Sequence, residues 1–250
     1  MVIRTFDLGG DKIPEFLQPW AHANPNLSLR GLRFALQEEH LLRTQLLAIL
    51  DVAQDHDVRV LFPMVMGCDD LCAAIDMLKG LASRRGRRLP LIGAMIETPS
   101  SLFALEEILP HVDFVSLGTN DLAQFMLGAD RDAAELSEEW VAVYPTILRA
   151  IRRVVEAAGQ AGKPLSVCGE MAGHPTIAPL LVGLGIRKLS MTPARCVQVR
   201  YALRNLDCKE AEAIANQALQ CDSRDEVQEL ISAMRKEPGP GRIAVHAEGT

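Results

Sequence analysis

The sequence predicts an α/β protein made of repeated strand–helix units, with a (β/α)8 TIM barrel favoured over an open doubly wound sheet. Three observations carry this. Short apolar runs alternate with longer helix-periodic segments along the 250 residues. Those runs are continuous rather than alternating, which suits parallel strands covered on both faces. Polar residues gather at the ends of many different runs: Arg4 and Asp7, Glu97, Asn120 and Asp121, and Cys168 and Glu170. A barrel gathers all its strand ends at one mouth, so it accounts for that scatter. The absence of a G-x-G-x-x-G after the first strand weakens a dinucleotide fold.

In chain order, strands are expected at 2–5, 58–64 (VRVLFPM), 91–96 (LIGAMI), 112–117, 164–168 and, more weakly, 188–191. Helices fill the intervals. Residues 38–55 carry leucines and Ile49 at helical spacing, and 69–85 follow a cap at Cys68-Asp69. A helix over 100–109 begins just after Pro99, a favoured first-turn residue. A short helix is expected at 122–128, and a long periodic one at 138–161. Helices at 176–184, 194–203, 209–220 and 224–236 complete the pattern. Residues 1–236 thus read as one domain of about six strands, with terminal helices over 205–236. The Pro- and Gly-rich stretch 237–250 lacks an apolar face and reads as a flexible tail.

Composition sets the class. The chain is 48% hydrophobic, enough for one large core. A net charge of −6 and 4% aromatic residues argue against nucleic-acid binding and fit a cytoplasmic protein. No window reaches the roughly 20 apolar residues of a membrane span, and the amino terminus lacks a signal-peptide pattern. The six cysteines contain no C-x-x-C pair and read as reduced thiols rather than as a zinc site. The six histidines read as structural or solvated, because none stands with acids at metal-ligand spacing.

The densest polar cluster lies in VDFVSLGTNDLAQF, 112–125. An apolar run stops at Gly118, and Thr119, Asn120, Asp121 and Gln124 follow at a strand-to-helix junction, where α/β proteins bind ligands. Glu97 directly follows LIGAMI, and an unpaired carboxylate there is costly to bury. Glu97 and Asp121 are candidate ligands for Mg²⁺, with waters completing the shell. The alternatives are a loop or capping acid at Glu97 and an N-cap at Asp121. Arg4, Arg30, Arg33 and Arg131 are candidate anion binders, since a guanidinium matches phosphate and carboxylate. Ordinary ion pairing is the alternative, strongest for Arg33; Arg131 has Asp130 beside it. Cys168, at the end of LSVC, is either a buried structural thiol or a mouth-facing proton donor. Gly9-Gly10-Asp11-Lys12 lacks the spacing of a Walker loop.

These residues carry a family resemblance. VIRTFDLGGDK (2–12), NPNLSLRGLR (24–33), LFPMV (61–65), IETPS (96–100), SLGTNDLAQF (116–125), ADR (129–131) and CGEMAG (168–173) resemble the phosphoenolpyruvate (PEP)-binding domain of PEP-protein phosphotransferase, enzyme I of the phosphotransferase system. The resemblance runs in order from Val2 to about Lys236. The GTNDLxQ and CGExAG blocks are specific to the wider PEP-utilising group, which includes pyruvate phosphate dikinase.

That resemblance implies a (β/α)8 barrel with the substrate at its carboxyl-end mouth. It matches Glu97 and Asp121 to Mg²⁺ ligands, and Arg4, Arg30 and Arg131 to arginines that grip PEP. It matches Asn120 to a phosphate contact and Cys168 to the acid that protonates the enolate carbon as pyruvate forms. It implies phosphoryl transfer to a histidine in another domain and on to a phosphocarrier protein, a role in sugar transport or nitrogen regulation, and a homodimer. Leu29 stands where the family commonly has tryptophan. The chain begins at what resembles the third barrel strand, so the expectation is an N-terminally truncated barrel, inactive alone. A dikinase-like fragment and a non-catalytic binding or regulatory module are the alternatives.

Overall fold

The computed structural model describes residues 1–8, 27, 29–129, 143–204 and 206–236. Five parallel strands form one sheet in sequence order: β1 (Val2–Arg4), β2 (Arg59–Phe62), β3 (Leu91–Ile96), β4 (Phe114–Gly118) and β5 (Leu165–Cys168). Each neighbouring pair is joined by a helical crossover, as parallel strands require. The sheet curls into a half-barrel, a partial TIM-barrel-like form.

The helices are α1 (Gly31–Gln37), α2 (Glu39–Asp55), α3 (Cys68–Arg85), α4 (Pro99–Phe103), α5 (Leu105–Ile108), α6 (Thr119–Leu127), α7 (Pro145–Gln160), α8 (Ile177–Gly183), α9 (Pro193–Arg204), α10 (Cys208–Gln220) and α11 (Arg224–Lys236). Short 3-10 turns follow α5 at Leu109–His111 and β5 at Glu170–Gly173.

Strand periodicity sorts side chains onto two faces. Val60, Phe62, Ile92, Ala94, Ile96, Val115, Leu117 and Val167 join the main core beneath the helices. The alternate residues line the concave face, where Leu61, Met95 and Phe114 form a small separate cluster with Cys168 packed against it. Gly93 faces the same way, and a Cβ there would strike the Phe114 ring. The registers Leu61↔Gly93, Gly93↔Phe114 and Gly118↔Cys168 carry this inner face across the sheet.

Several expectations change. The stretch 188–191 forms a single parallel bridge, Val167↔Leu189, so the described residues hold five strands rather than six. Only Val167 takes part in that pairing: its N–H donates to the Lys188 carbonyl and its carbonyl accepts from the Ser190 N–H. The helix expected over 100–109 is two short helices separated at Ala104. The helix expected at 122–128 starts earlier, at Thr119, so Gly118 is its N-cap and Asp121 is not. Helix α1, absent from the sequence reading, begins at Gly31 with φ +57. The start of the helix expected over 138–161, the tail 237–250 and Arg131 lie outside the described residues.

Candidate functional site

The concave face opens into a cleft of about 560 Å³ lined by residues from all five strands. At the carboxyl ends of the strands, Arg4, Asp7, Glu97, Asn120, Asp121 and Cys168 line it together. The cleft therefore brings five of the sequence-predicted positions into one wall, and Arg30 joins them through Asp121.

Glu97 leaves the end of β3 and is 2% exposed. Its Oε1 accepts a 2.6 Å hydrogen bond from the Met64 amide in the β2–α3 loop. The chain then turns into α4, capped by Thr98, whose Oγ1 accepts from the Ser101 amide and donates to the Val65 carbonyl. Two adjacent loops are thus tied around one carboxyl group. Gly118 supplies the space: a Cβ there would overlap the Glu97 carboxylate. Burial, reinforced by the nearby Asp121 charge, pushes the Glu97 pKa up to about 8, against the Met64 hydrogen bond and the Arg4 charge.

Asp121 sits in the first turn of α6, where the helix dipole favours an anion. Its Oδ1 accepts from Arg30 Nη1 at 3.2 Å. Arg30 is 4% exposed and also makes a two-point contact with Asp7, at 2.7 Å from Nη2 and 3.3 Å from Nε. Burial alone would lower the Arg30 pKa, but the Asp7 hydrogen bond and charge, with Asp121 and Glu97 beyond, raise it. Arg30 therefore pairs with two cleft carboxylates, and Asp7 is a partner that the sequence reading left without a role. Arg4 behaves differently. It is exposed at the cleft end of β1 and has no ion pair among the described residues.

Asn120 follows at the second position of α6. Its Oδ1 accepts from the Glu170 amide at 3.0 Å, which orients the amide group at the cleft wall. Gly169, at φ +116, permits this: a Cβ there would collide with Thr119 and Asn120.

Cys168 ends β5. Its Sγ accepts from Ser116 Oγ at 3.2 Å, and Ser166 Oγ donates to Ser116 Oγ at 3.2 Å. Burial raises the thiol pKa, Ser116 opposes the rise, and Glu97 adds to it. The thiol is consequently held in its protonated form. The two serines were missed in sequence; their signal was the register that puts Ser116 beside Ser166 on the same face.

The donor chemistry fits a hard divalent cation. Glu97 and Asp121 offer carboxylate oxygens, the preferred ligands of Mg²⁺, and their mutual repulsion in a buried setting is what such a charge relieves.

The acid–arginine–thiol cluster thus lies at the carboxyl ends of the strands of a half-barrel, the end at which barrel enzymes carry their active sites. Residues 1–208 match the family of the PEP-utilising enzyme, PEP-binding domain, and the chain belongs to that family. It is 33% identical to the phosphoenolpyruvate-dependent phosphotransferase system protein of Salmonella typhimurium, over 97% of this chain and 33% of that one. It is 37% identical to a phosphoenolpyruvate-protein phosphotransferase of Haloferax volcanii, over 93% of this chain and 43% of that one. The chain thus spans a third to two-fifths of the length of these relatives. Among solved structures, a citrate lyase from Burkholderia xenovorans is similar, with a TM-score of 0.53 and 18% identity over 78% of this chain and 68% of that one. That likeness concerns the fold alone. No helix among the described residues is long and apolar enough to cross a membrane.

Proposed function

We propose that this chain is the PEP-binding, Mg²⁺-dependent part of a phosphoenolpyruvate-protein phosphotransferase. The phosphoryl group of PEP would pass to a histidine on a separate domain and then to a phosphocarrier protein. The observation that carries the reading is the convergence of Glu97, Asp121, Asn120, Arg4 and Cys168 on one cleft, in a chain whose family binds PEP.

Each residue has a distinct task. Glu97 and Asp121 would hold Mg²⁺, which supplies positive charge to the departing phosphoryl group. Arg4, exposed and without an ion pair among the described residues, attracts the phosphate or carboxylate of PEP. Arg131 joins it in this reading and lies outside the described residues. Arg30 contributes charge while fixing Asp121 and Asp7. Asn120 presents its oriented amide to the phosphate. Cys168 delivers its proton to the methylene carbon of the enolate, giving pyruvate. A donor for that step must start protonated, and burial favours that form.

The barrel is completed by strands outside the described sheet, pairing along the open edge of β1 or beyond β5. An open parallel edge presents unpaired backbone groups that favour such addition. In this reading the isolated chain is inactive in phosphoryl transfer, and the cleft residues Glu97, Asp121 and Arg4 support binding of the metal and the anion. Self-association is part of the same reading: α9 exposes Val197 and Tyr201, with Val199 alone among its residues fully buried. Cytoplasmic placement follows from the same assignment.

Isotope-labelled PEP with an added phosphohistidine domain tests the assignment. Label appearing on the histidine only when this chain, a segment supplying the remaining barrel strands and Mg²⁺ are all present supports it. Label transferred without this chain would remove it. A dependence on a nucleotide-binding domain instead would favour a dikinase-like enzyme.

A further inference from the structure

A second cluster lies outside the cleft. Cys68 is the first residue of α3, and Cys72 follows one turn later. Residues four apart share a helix face, and here the two sulfurs stand 3.1 Å apart. The 3-10 turn that closes α5 brings His111 to the same place. One ligand atom from each of the three lies within 4.8 Å of the others. Both thiols are half-buried and His111 is exposed, so the group is accessible from solvent. All six cysteines are free thiols.

We propose that Cys68, Cys72 and His111 form a binding site for zinc, with three protein ligands and a fourth position open to solvent. Two thiolates and an imidazole are a soft, borderline donor set that selects zinc over Mg²⁺. Zinc–sulfur bonds of about 2.3 Å in tetrahedral geometry place two sulfurs roughly 3.8 Å apart. The thiols therefore need to part by less than about 1 Å, within reach of small χ1 rotations. Burial, the Cys68 thiol and the Asp76 and Asp69 charges push the Cys72 thiol up to about 11, so zinc displaces a proton on binding; the same negative charges favour the cation.

The site has a structural consequence. Cys68 follows directly on the 64–67 loop, and His111 closes the segment leading into β4. A bound zinc would clip the start of α3 to the approach of β4. The clip involves no PEP ligand, so its test is independent of the function proposed above.

Cobalt titration of the reduced chain tests it. One equivalent of Co²⁺ is expected to produce thiolate-to-cobalt charge-transfer absorption, displaced by zinc and untouched by millimolar Mg²⁺. The absorption should vanish in the Cys68→Ser/Cys72→Ser variant. His111→Ala should weaken binding by at least tenfold, and Cys196→Ser and Cys208→Ser should change nothing. Alkylation mapping of the unaltered chain supplies a check that does not depend on variants folding: zinc should protect Cys68 and Cys72 while exposed Cys208 still reacts. Absence of the charge-transfer band, its persistence in the double variant, unchanged affinity in His111→Ala, or equal alkylation with and without zinc would each overturn the proposal.

Discussion

The Met64 amide donates to Glu97 Oε1 across 2.6 Å, and Met64 is the non-glycine residue with positive φ (53°) among the described residues. A methionine in the left-handed region carries a backbone cost. That conformation aims its N–H at a buried carboxylate from the neighbouring strand. Gly31, also left-handed at φ +57, packs so closely that a Cβ would overlap the Met64 side chain and press on Asp7. The end of β2, the end of β3 and the start of α1 are thus interlocked around Glu97.

Gly31→Ala should destabilise the chain by about 2–4 kcal/mol, combining left-handed strain with overpacking. Urea unfolding followed by circular dichroism measures this. A change within about 0.5 kcal/mol would show that the Met64 loop yields freely.

Glu97 makes stability depend on pH in a defined direction. Its folded pKa of about 8 lies above the ordinary 4.5, so between those values the native state keeps a proton that the unfolded chain has lost. Without metal, stability should fall as pH rises from about 4.5 through about 8, by on the order of 4 kcal/mol, then level off. Glu97→Gln should flatten that slope, and saturating Mg²⁺ should oppose it by binding the ionised carboxylate. Unfolding midpoints at pH 5, 7 and 9 with and without Mg²⁺ test it. A metal-free chain that gains stability across this range would contradict the burial argument.

Gly118→Ala should act at the same carboxyl group from the other side. The added methyl overlaps the Glu97 carboxylate, so a loss of about 1–3 kcal/mol is expected. The displaced carboxyl should also lose part of the pH dependence just described. A Gly118→Ala variant with an unaltered pH profile would place the Glu97 side chain elsewhere.

Arg30→Met should be severe, because it leaves Asp7 and Asp121 without their shared cation. Removing one partner of a buried pair costs about 3–5 kcal/mol. Thermal unfolding reads this directly. Because the same substitution removes the Arg30 ion pairs of both carboxylates, millimolar Mg²⁺ should recover part of the loss. A loss below about 1 kcal/mol would show the ion pairs to be peripheral.

Much of this was legible in the sequence, for identifiable reasons. The strands at 91–96 and 112–117 are short apolar runs ending in polar residues, so their location and the positions of Glu97 and Asp121 could be read directly. Helix α11 matched its expected limits because its apolar positions recur at helical spacing. Helix α1 escaped notice because it opens on a glycine, Gly31, whose left-handed backbone only tertiary packing explains. The weak strand at 188–191 became one bridge because only Val167 engages it. The pairing of Arg30 with Asp7 spans 23 residues, and no local pattern announces it. Likewise His111 meets the two thiols only through the packing of α3 against α5, so reading histidines and cysteines separately missed their meeting.

Cys168→Ala should separate binding from chemistry. In the reconstituted enzyme, PEP affinity should change less than about threefold, while pyruvate formation falls by roughly 10²–10⁴, the usual contribution of a general acid. A turnover within twofold of the unaltered enzyme would assign protonation to another group.

The central claim is that the Glu97–Asp121 cleft binds PEP through a divalent cation. Isothermal calorimetry of this chain with PEP tests it most directly. The expected result is a saturable heat with Mg²⁺ present at millimolar ligand, lost with chelator and lost in Asp121→Asn. No detectable heat at millimolar PEP with Mg²⁺ present, or equal heat with and without Mg²⁺, would contradict it.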